Sequence, residues 1–305
     1  MEPWESRGHL LTEQINPKSR DLDRLTPLEF VDLVNQEDAR TLEAIERARV
    51  ELAKAIELIA DSLSQGGRLF YIGAGTSGRL GVLDAAECPP TFCTPPELVQ
   101  GILAGGAPAL LKSSEGLEDN RDDGAAAMVE REISPLDVVV GITAGGTTPY
   151  VHGALEEAKK RGAKTVAISC VPAEQVPIDA DVDIRLLTGP EILAGSTRLK
   201  AGTVTKMALN ILSTGSMVRL GKVYGNRMID VAVTNRKLFD RAIRIIGDLT
   251  GLDREESARL LEKSGKRVKL ALLIHETGLT PEEGEKLLQT HRGQLRAALN
   301  AYKNP

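Results

Sequence analysis

Cysteine is scarce: Cys88, Cys93 and Cys170 are the only three in 305 residues. The number is odd and no CxxC spacing occurs, so a disulfide framework is excluded and a reducing, cytoplasmic setting is expected. The four histidines, His9, His152, His275 and His291, are scattered, so no transition-metal ligand set is expected. Aromatic residues make up 3% of the chain and the net charge is −5. That combination excludes base-stacking surfaces and a basic face for nucleic acid. No apolar run reaches the roughly 18 residues of a membrane span. The start, Met1-Glu2-Pro3-Trp4-Glu5, is acidic and polar, unlike a secretory leader. No Gly-Lys-Ser/Thr phosphate loop is present, which argues against ATP hydrolysis. An anionic partner must therefore be held by local donors and not by the global field.

Hydrophobic residues at 42% suffice for an ordinary core, and the length suggests about two domains. The most informative stretch is Gly73-Ala74-Gly75-Thr76-Ser77-Gly78-Arg79-Leu80, running on to Glu87-Cys88-Pro89-Pro90. The run Arg68–Ile72 before it reads as a buried strand. Glycines there let backbone N–H groups close on an anion, and the following helix adds its positive dipole end. The helix is expected to stop near Glu87, because Pro89 pushes Cys88 out of helical space. A carboxylate at that negative dipole end would suit a proton donor, although a solvated glutamate is the commoner fate. The spacing Gly73-x-Gly75-x-x-Gly78 also fits a dinucleotide fingerprint. That fingerprint needs an acid closing the next strand, and the segment after Leu98–Leu103 reads Ala104-Gly105-Gly106.

Residues 1 to about 25 look irregular, with Pro3, Gly8 and Pro17 as breakers. Thr26-Pro27-Leu28-Glu29 forms a capping box opening a helix to about Val34. A longer helix is expected over 37–64, stopped by Gln65-Gly66-Gly67. Strands then alternate with helices. Helical regions are expected near 107–114, 122–132 and 150–161, and strands at 137–142, 164–169 and 182–187. Such alternation implies a doubly wound parallel α/β sheet, with ligands at the strands' carboxyl ends. A second small-residue loop, Thr143-Ala144-Gly145-Gly146-Thr147-Thr148, falls at one of those ends. Two hydroxyl-bearing loops of this kind point to a phosphorylated small molecule. A third donor set, Ser196 to Lys200, precedes a long helix over 200–220; a capping serine and a solvated lysine would explain it equally well. The segment Ser114-Glu115-Gly116-Leu117-Glu118-Asp119 is acidic, and a solvated turn is its plainer explanation. Past Gly225 the chain turns helical. Thr250-Gly251-Leu252 and Thr277-Gly278-Leu279, 27 residues apart, open an internal echo with no evident chemistry.

The first loop joined to Asp84-Ala-Ala-Glu87-Cys-Pro-Pro-Thr91 resembles the N-acetylmuramic acid 6-phosphate etherases, which are sugar isomerase (SIS) domain enzymes. The resemblance also covers Thr12-Glu13-x-x-Asn16, Asn35-Gln-Glu-Asp38, Glu115-Gly-Leu-Glu-Asp119, Gly195 to Thr203 and Gly225 to Asp230. It implies segment 1–58 as an N-terminal arm with helices, 59–222 as the SIS domain, and 223–305 as a small helical domain. It implies cleavage of a D-lactyl ether from a phosphorylated aminosugar, by elimination and water addition, with no metal or redox cofactor. Glu87 matches the acid that protonates lactate, and Glu118, not Glu115, matches the C2 base. Gly75, Thr76, Ser77, Gly78, Arg79, Gly146, Thr147, Thr148, Ser196 and Lys200 would hold the substrate. Dimers with shared sites are typical of such proteins, so Thr12, Glu13 and Asn16 would reach a neighbour's pocket. One departure stands out: relatives commonly carry Ser-Gly-x-Thr where this chain has Gly145-Gly146-Thr147-Thr148. A non-catalytic sugar-phosphate sensor and an aldose–ketose isomerase are the competing functions.

Overall fold

A computed structural model describes residues 7–112 and 115–303, and of Glu115 only the backbone. The expected irregular start around Pro3 and the last two residues of the helix expected over 107–114 lie outside the described residues. By internal contacts the chain divides into two units, residues 1–86 with 97–213, and residues 87–96 with 214–305. The arm and helices of 1–58 thus belong to the first unit.

In that unit, α1 (Pro27–Asp38), α2 (Arg40–Arg47) and α3 (Arg49–Ser64) replace the two expected helices. The capping box forms as read, with Thr26 accepting from the Glu29 N–H and Glu29 reaching back. The breaks fall at Ala39 and Ala48, residues that carry no breaker signal. The sheet holds β1 (Leu69–Gly73), β2 (Val99–Leu103), β3 (Val138–Ile142), β4 (Lys164–Ser169) and β5 (Val182–Arg185), all parallel, in the order β2-β1-β3-β4-β5. Strands β1 and β3 are buried throughout, which is why they read as continuous apolar runs. Helix α4 (Gly75–Phe92) follows β1; α5 (Pro108–Leu111) is a single turn; α6 (Arg121–Glu130) and α7 (Pro149–Lys160) pack on the sheet. Gly124 and Gly153 let α6 and α7 touch, since a Cβ at either would lie 1.9 or 2.0 Å from a carbonyl oxygen of the facing segment. Helix α8 (Lys200–Arg219) completes the alternation.

Helix α4 does not stop near Glu87. It runs through Pro89 and Pro90 to Phe92. Each proline removes a donor, yet Cys88 and Phe92 are both buried and the Cys93 N–H still bonds the Pro89 carbonyl at 3.0 Å. Packing overrides the local cost. Glu87 therefore lies inside the helix, and the expected placement at the negative dipole end does not hold.

The second unit contains the hairpin β6 (Val223–Tyr224) and β7 (Arg227–Met228) and the helices α9 (Arg236–Thr250), α10 (Arg254–Lys263), α11 (Val268–Thr277), α12 (Pro281–Thr290) and α13 (Leu295–Lys303). The echo is structural: Gly251 and Gly278 end α9 and α11 in the left-handed conformation, and Asp253 and Thr280 cap α10 and α12 with full capping boxes. Residues 229–299 supply this unit's own buried core.

Candidate functional site

The two hydroxyl loops leave neighbouring strands. Strands β1 and β3 pair in register, Gly73 opposite Ile142, and the strand order reverses at this pair. Their carboxyl ends form the crevice where such sheets take ligands. Gly75, at φ +53°, starts α4 with open space around its Cα, and Thr76 and Ser77 are half-buried in the first turn. Gly78 serves close packing: a Cβ there would lie 2.4 Å from the Gly73 carbonyl oxygen and 2.6 Å from Leu103 Cδ1. Arg79 turns aside to donate from Nε to the Ala109 carbonyl at 3.0 Å.

In the second loop, Gly146 takes φ +76°. The Thr143 and Thr148 hydroxyls pair at 2.9 Å, and His152 Nε2 meets the Gly146 carbonyl at 2.7 Å. Thr147 is half-buried. Glu118 is joined to this loop's helix, because the Tyr150 N–H donates to the Glu118 carbonyl at 3.1 Å; its side chain is half-buried. The structure thus brings together Thr76, Ser77, Thr147, Thr148 and the Glu118 segment in one unit. Glu87 is an exposed residue of α4 and belongs to the second unit.

Ser196 and Lys200 take unexpected positions. Ser196 lies in the turn before α8 but does not cap it. The carboxylate of Glu191 does, accepting from the N–H groups of Lys200 and Ala201 at 3.0 and 2.9 Å. Burial pushes the Glu191 carboxyl above its ordinary range, against the pull of those N–H groups. Lys200 is 1% exposed, and its ammonium donates to Glu37 Oε2 at 2.7 Å. It is buried in an ion pair and not solvated. Glu37 also accepts from Asn16 Nδ2 at 2.7 Å and meets Lys18 Nζ at 3.0 Å. Burial opposes its charge, but these donors hold its pKa down at about 2. Gly202, two residues into α8, lies against Thr76, whose Cγ2 would be 3.5 Å from a Cβ there. The ionic cluster therefore positions a helix that touches the first loop.

The arm makes contacts within its own unit. Asn16 Nδ2 bonds Glu37 and the Pro190 carbonyl. Glu13 Oε2 lies 3.3 Å from a Cβ position on Gly195, and Thr12 Oγ1 3.7 Å from one on Gly145. Thr12 is buried and its hydroxyl has no hydrogen-bond partner. Sequence reasoning missed Glu37, Glu191 and His152 as organisers of the loops. The capping role of Glu191 had no signal, since its partners follow by nine and ten residues.

Three family models match: the glucokinase regulatory protein N-terminal SIS domain over residues 51–159, the SIS domain over 114–214, and the C-terminal lid domain of glucokinase regulatory protein over 225–271. A solved structure from Bacteroides fragilis, described as a phosphosugar isomerase involved in capsule formation, matches with TM-score 0.50 and 18% identity, over 66% of this chain and 95% of that one. This likeness concerns the fold. N-acetylmuramic acid 6-phosphate etherase of Microcystis aeruginosa is 76% identical over 302 residues, 99% of both chains. The Crocosphaera subtropica protein of that name is 69% identical over 304 residues, 100% of both chains. With identity this high along its whole length, the chain belongs to the N-acetylmuramic acid 6-phosphate etherase family.

Proposed function

We propose that this chain cleaves the D-lactyl ether of N-acetylmuramic acid 6-phosphate, giving N-acetylglucosamine 6-phosphate and D-lactate in peptidoglycan recycling. The observation that carries the reading is 76% identity across 99% of the chain to an etherase. In this reading the loops 75–78 and 146–148 hold the 6-phosphate and sugar hydroxyls. With the ring open, the C1 aldehyde acidifies the C2 proton, and Glu118 removes it. The C3–O bond breaks as Glu87 protonates the departing lactate oxygen. Water then adds back, its hydroxyl to C3 and a proton to C2. One carboxylate acts ionised and the other protonated, a division set by environment. The reading includes a homodimer in the cytoplasm. Among the described residues no helix is long and apolar enough to cross a membrane, and none of the three cysteines forms a disulfide.

Incubating the pure protein with N-acetylmuramic acid 6-phosphate and assaying D-lactate tests the reaction; no lactate across a range of pH would overturn it. Glu87→Gln is expected to abolish lactate release while C2–H exchange with deuterated water persists. Loss of both together would remove Glu87 from the leaving-group role. A sugar product without lactate would indicate an isomerase, and binding without turnover a sensor. The identity to etherases favours neither.

A further inference from the structure

The second unit holds a cavity of about 550 Å³ that the proposed reaction leaves unused. Its charged lining residues are Lys222, Lys266, Arg267 and Lys269 against Asp230 and Glu285. Arg267 pairs with Glu285, and Lys266 with Glu262. Lys222 and Lys269 converge on one oxygen, Asp230 Oδ2, at 3.2 and 2.6 Å. One carboxylate cannot offset two ammoniums, so this wall carries surplus positive charge. Lys269 is only 7% exposed. Burial lowers its pKa, and Lys222 and Arg267 press the same way against the pull of Asp230. A buried ammonium so placed gains most from one more anion.

A second feature shares that wall. Val268 and Lys269, the first residues of the ten-residue helix α11, line the cavity, and no side chain caps this helix end. Its dipole adds positive potential, and although the Lys269 N–H already donates to the Ile229 carbonyl at 3.1 Å, the Val268 and Leu270 N–H groups of the first turn suit an oxyanion. The volume is in the range of small-molecule sites and exceeds what a bare phosphate needs. Asp230, which gathers the lysines, closes the Gly225–Asp230 block that the proposed reaction does not use.

We propose that this cavity binds a small phosphorylated metabolite, its phosphate group held by Lys222, Lys269 and the first turn of α11. Equilibrium dialysis of the full-length protein against labelled inorganic phosphate tests it. Two phosphates per chain are expected. Thr76→Ala/Thr148→Ala removes the one at the sheet, and Lys222→Gln weakens the other by at least about tenfold. Lys266→Glu, at a more exposed part of the lining, weakens the same phosphate and keeps the test open should Lys222→Gln fold poorly. A single phosphate that survives Lys222→Gln and Lys266→Glu but is lost in Thr76→Ala/Thr148→Ala would overturn the proposal, as would no binding at all. A single phosphate with the opposite response would support this site and count against the sheet loops.

Discussion

Two buried carboxylates in the sheet unit respond to pH in opposite directions. Glu37 is held at about 2, against an ordinary 4.5. A lowered carboxylate contributes stability that is present above the unfolded value and lost as pH falls through the folded one. Glu37→Gln leaves Lys200 buried beside a neutral partner, and is expected to cost on the order of 3 kcal/mol near pH 7. Urea unfolding should show the gap to wild type narrowing as pH drops from about 5 toward 2. Asp84 behaves the other way. Burial raises its pKa to about 6, although Tyr71, Ser213 and Lys206 pull it down. Its stability is full below the unfolded value and declines as pH rises through about 6. Asp84→Asn should therefore stabilise by about 2 kcal/mol at pH 8 and have little effect near pH 4. A gain that is the same at both pH values would show that ionisation is not its source. Gly145 offers a third test. Its Cβ position meets only ordinary contacts, Thr12 Oγ1 at 3.7 Å and Thr147 Oγ1 at 3.9 Å. Gly145→Ser should fold, give the buried Thr12 hydroxyl a partner, and lower KM for the phosphorylated substrate by about tenfold. A raised melting point with unchanged KM would mean that the serine serves Thr12 alone.

Among the elements, β1 and its turn into α4 depend on one missing side chain. Gly78→Ala would drive a methyl into the Gly73 carbonyl and Leu103. Since the first obstacle is backbone, relief is expensive, and a loss of about 3 kcal/mol or more is expected in denaturant unfolding. The same neighbourhood shows what the chain discloses locally. The five strands of the parallel sheet fell within about two residues of expectation, because buried parallel strands are written as short apolar runs; the hairpin β6–β7 was not expected. The glycine loops were legible for the same reason, each placed between such a run and a helical pattern. The path of α4 past Pro89 was not, because the anchoring of Cys88 and Phe92 comes from packing that a local rule cannot see. Nor was the burial of Lys200, whose partner Glu37 lies 163 positions away. Ion pairs between distant segments leave no periodic trace.

For the whole molecule, the central fact is that, among the described residues, each unit holds a buried cluster built from its own stretch of chain. Phe70, Val139, Val151 and Ala167 belong to one cluster in the sheet unit; Ile246, Leu261, Ala271 and Leu273 belong to another, drawn wholly from residues 229–299. Each buries its own apolar surface, the condition for a unit that can melt as a body. Leu273 is fully buried in the helical core, and Leu273→Ala removes that packing at a cost of about 2–5 kcal/mol. If the cores melt separately, calorimetry should resolve two transitions, and Leu273→Ala should lower one midpoint while leaving the other in place. Ile72→Ala, in the sheet core, should move the opposite transition. Should either substitution shift a single, symmetric transition, the two cores would be melting as one cooperative body.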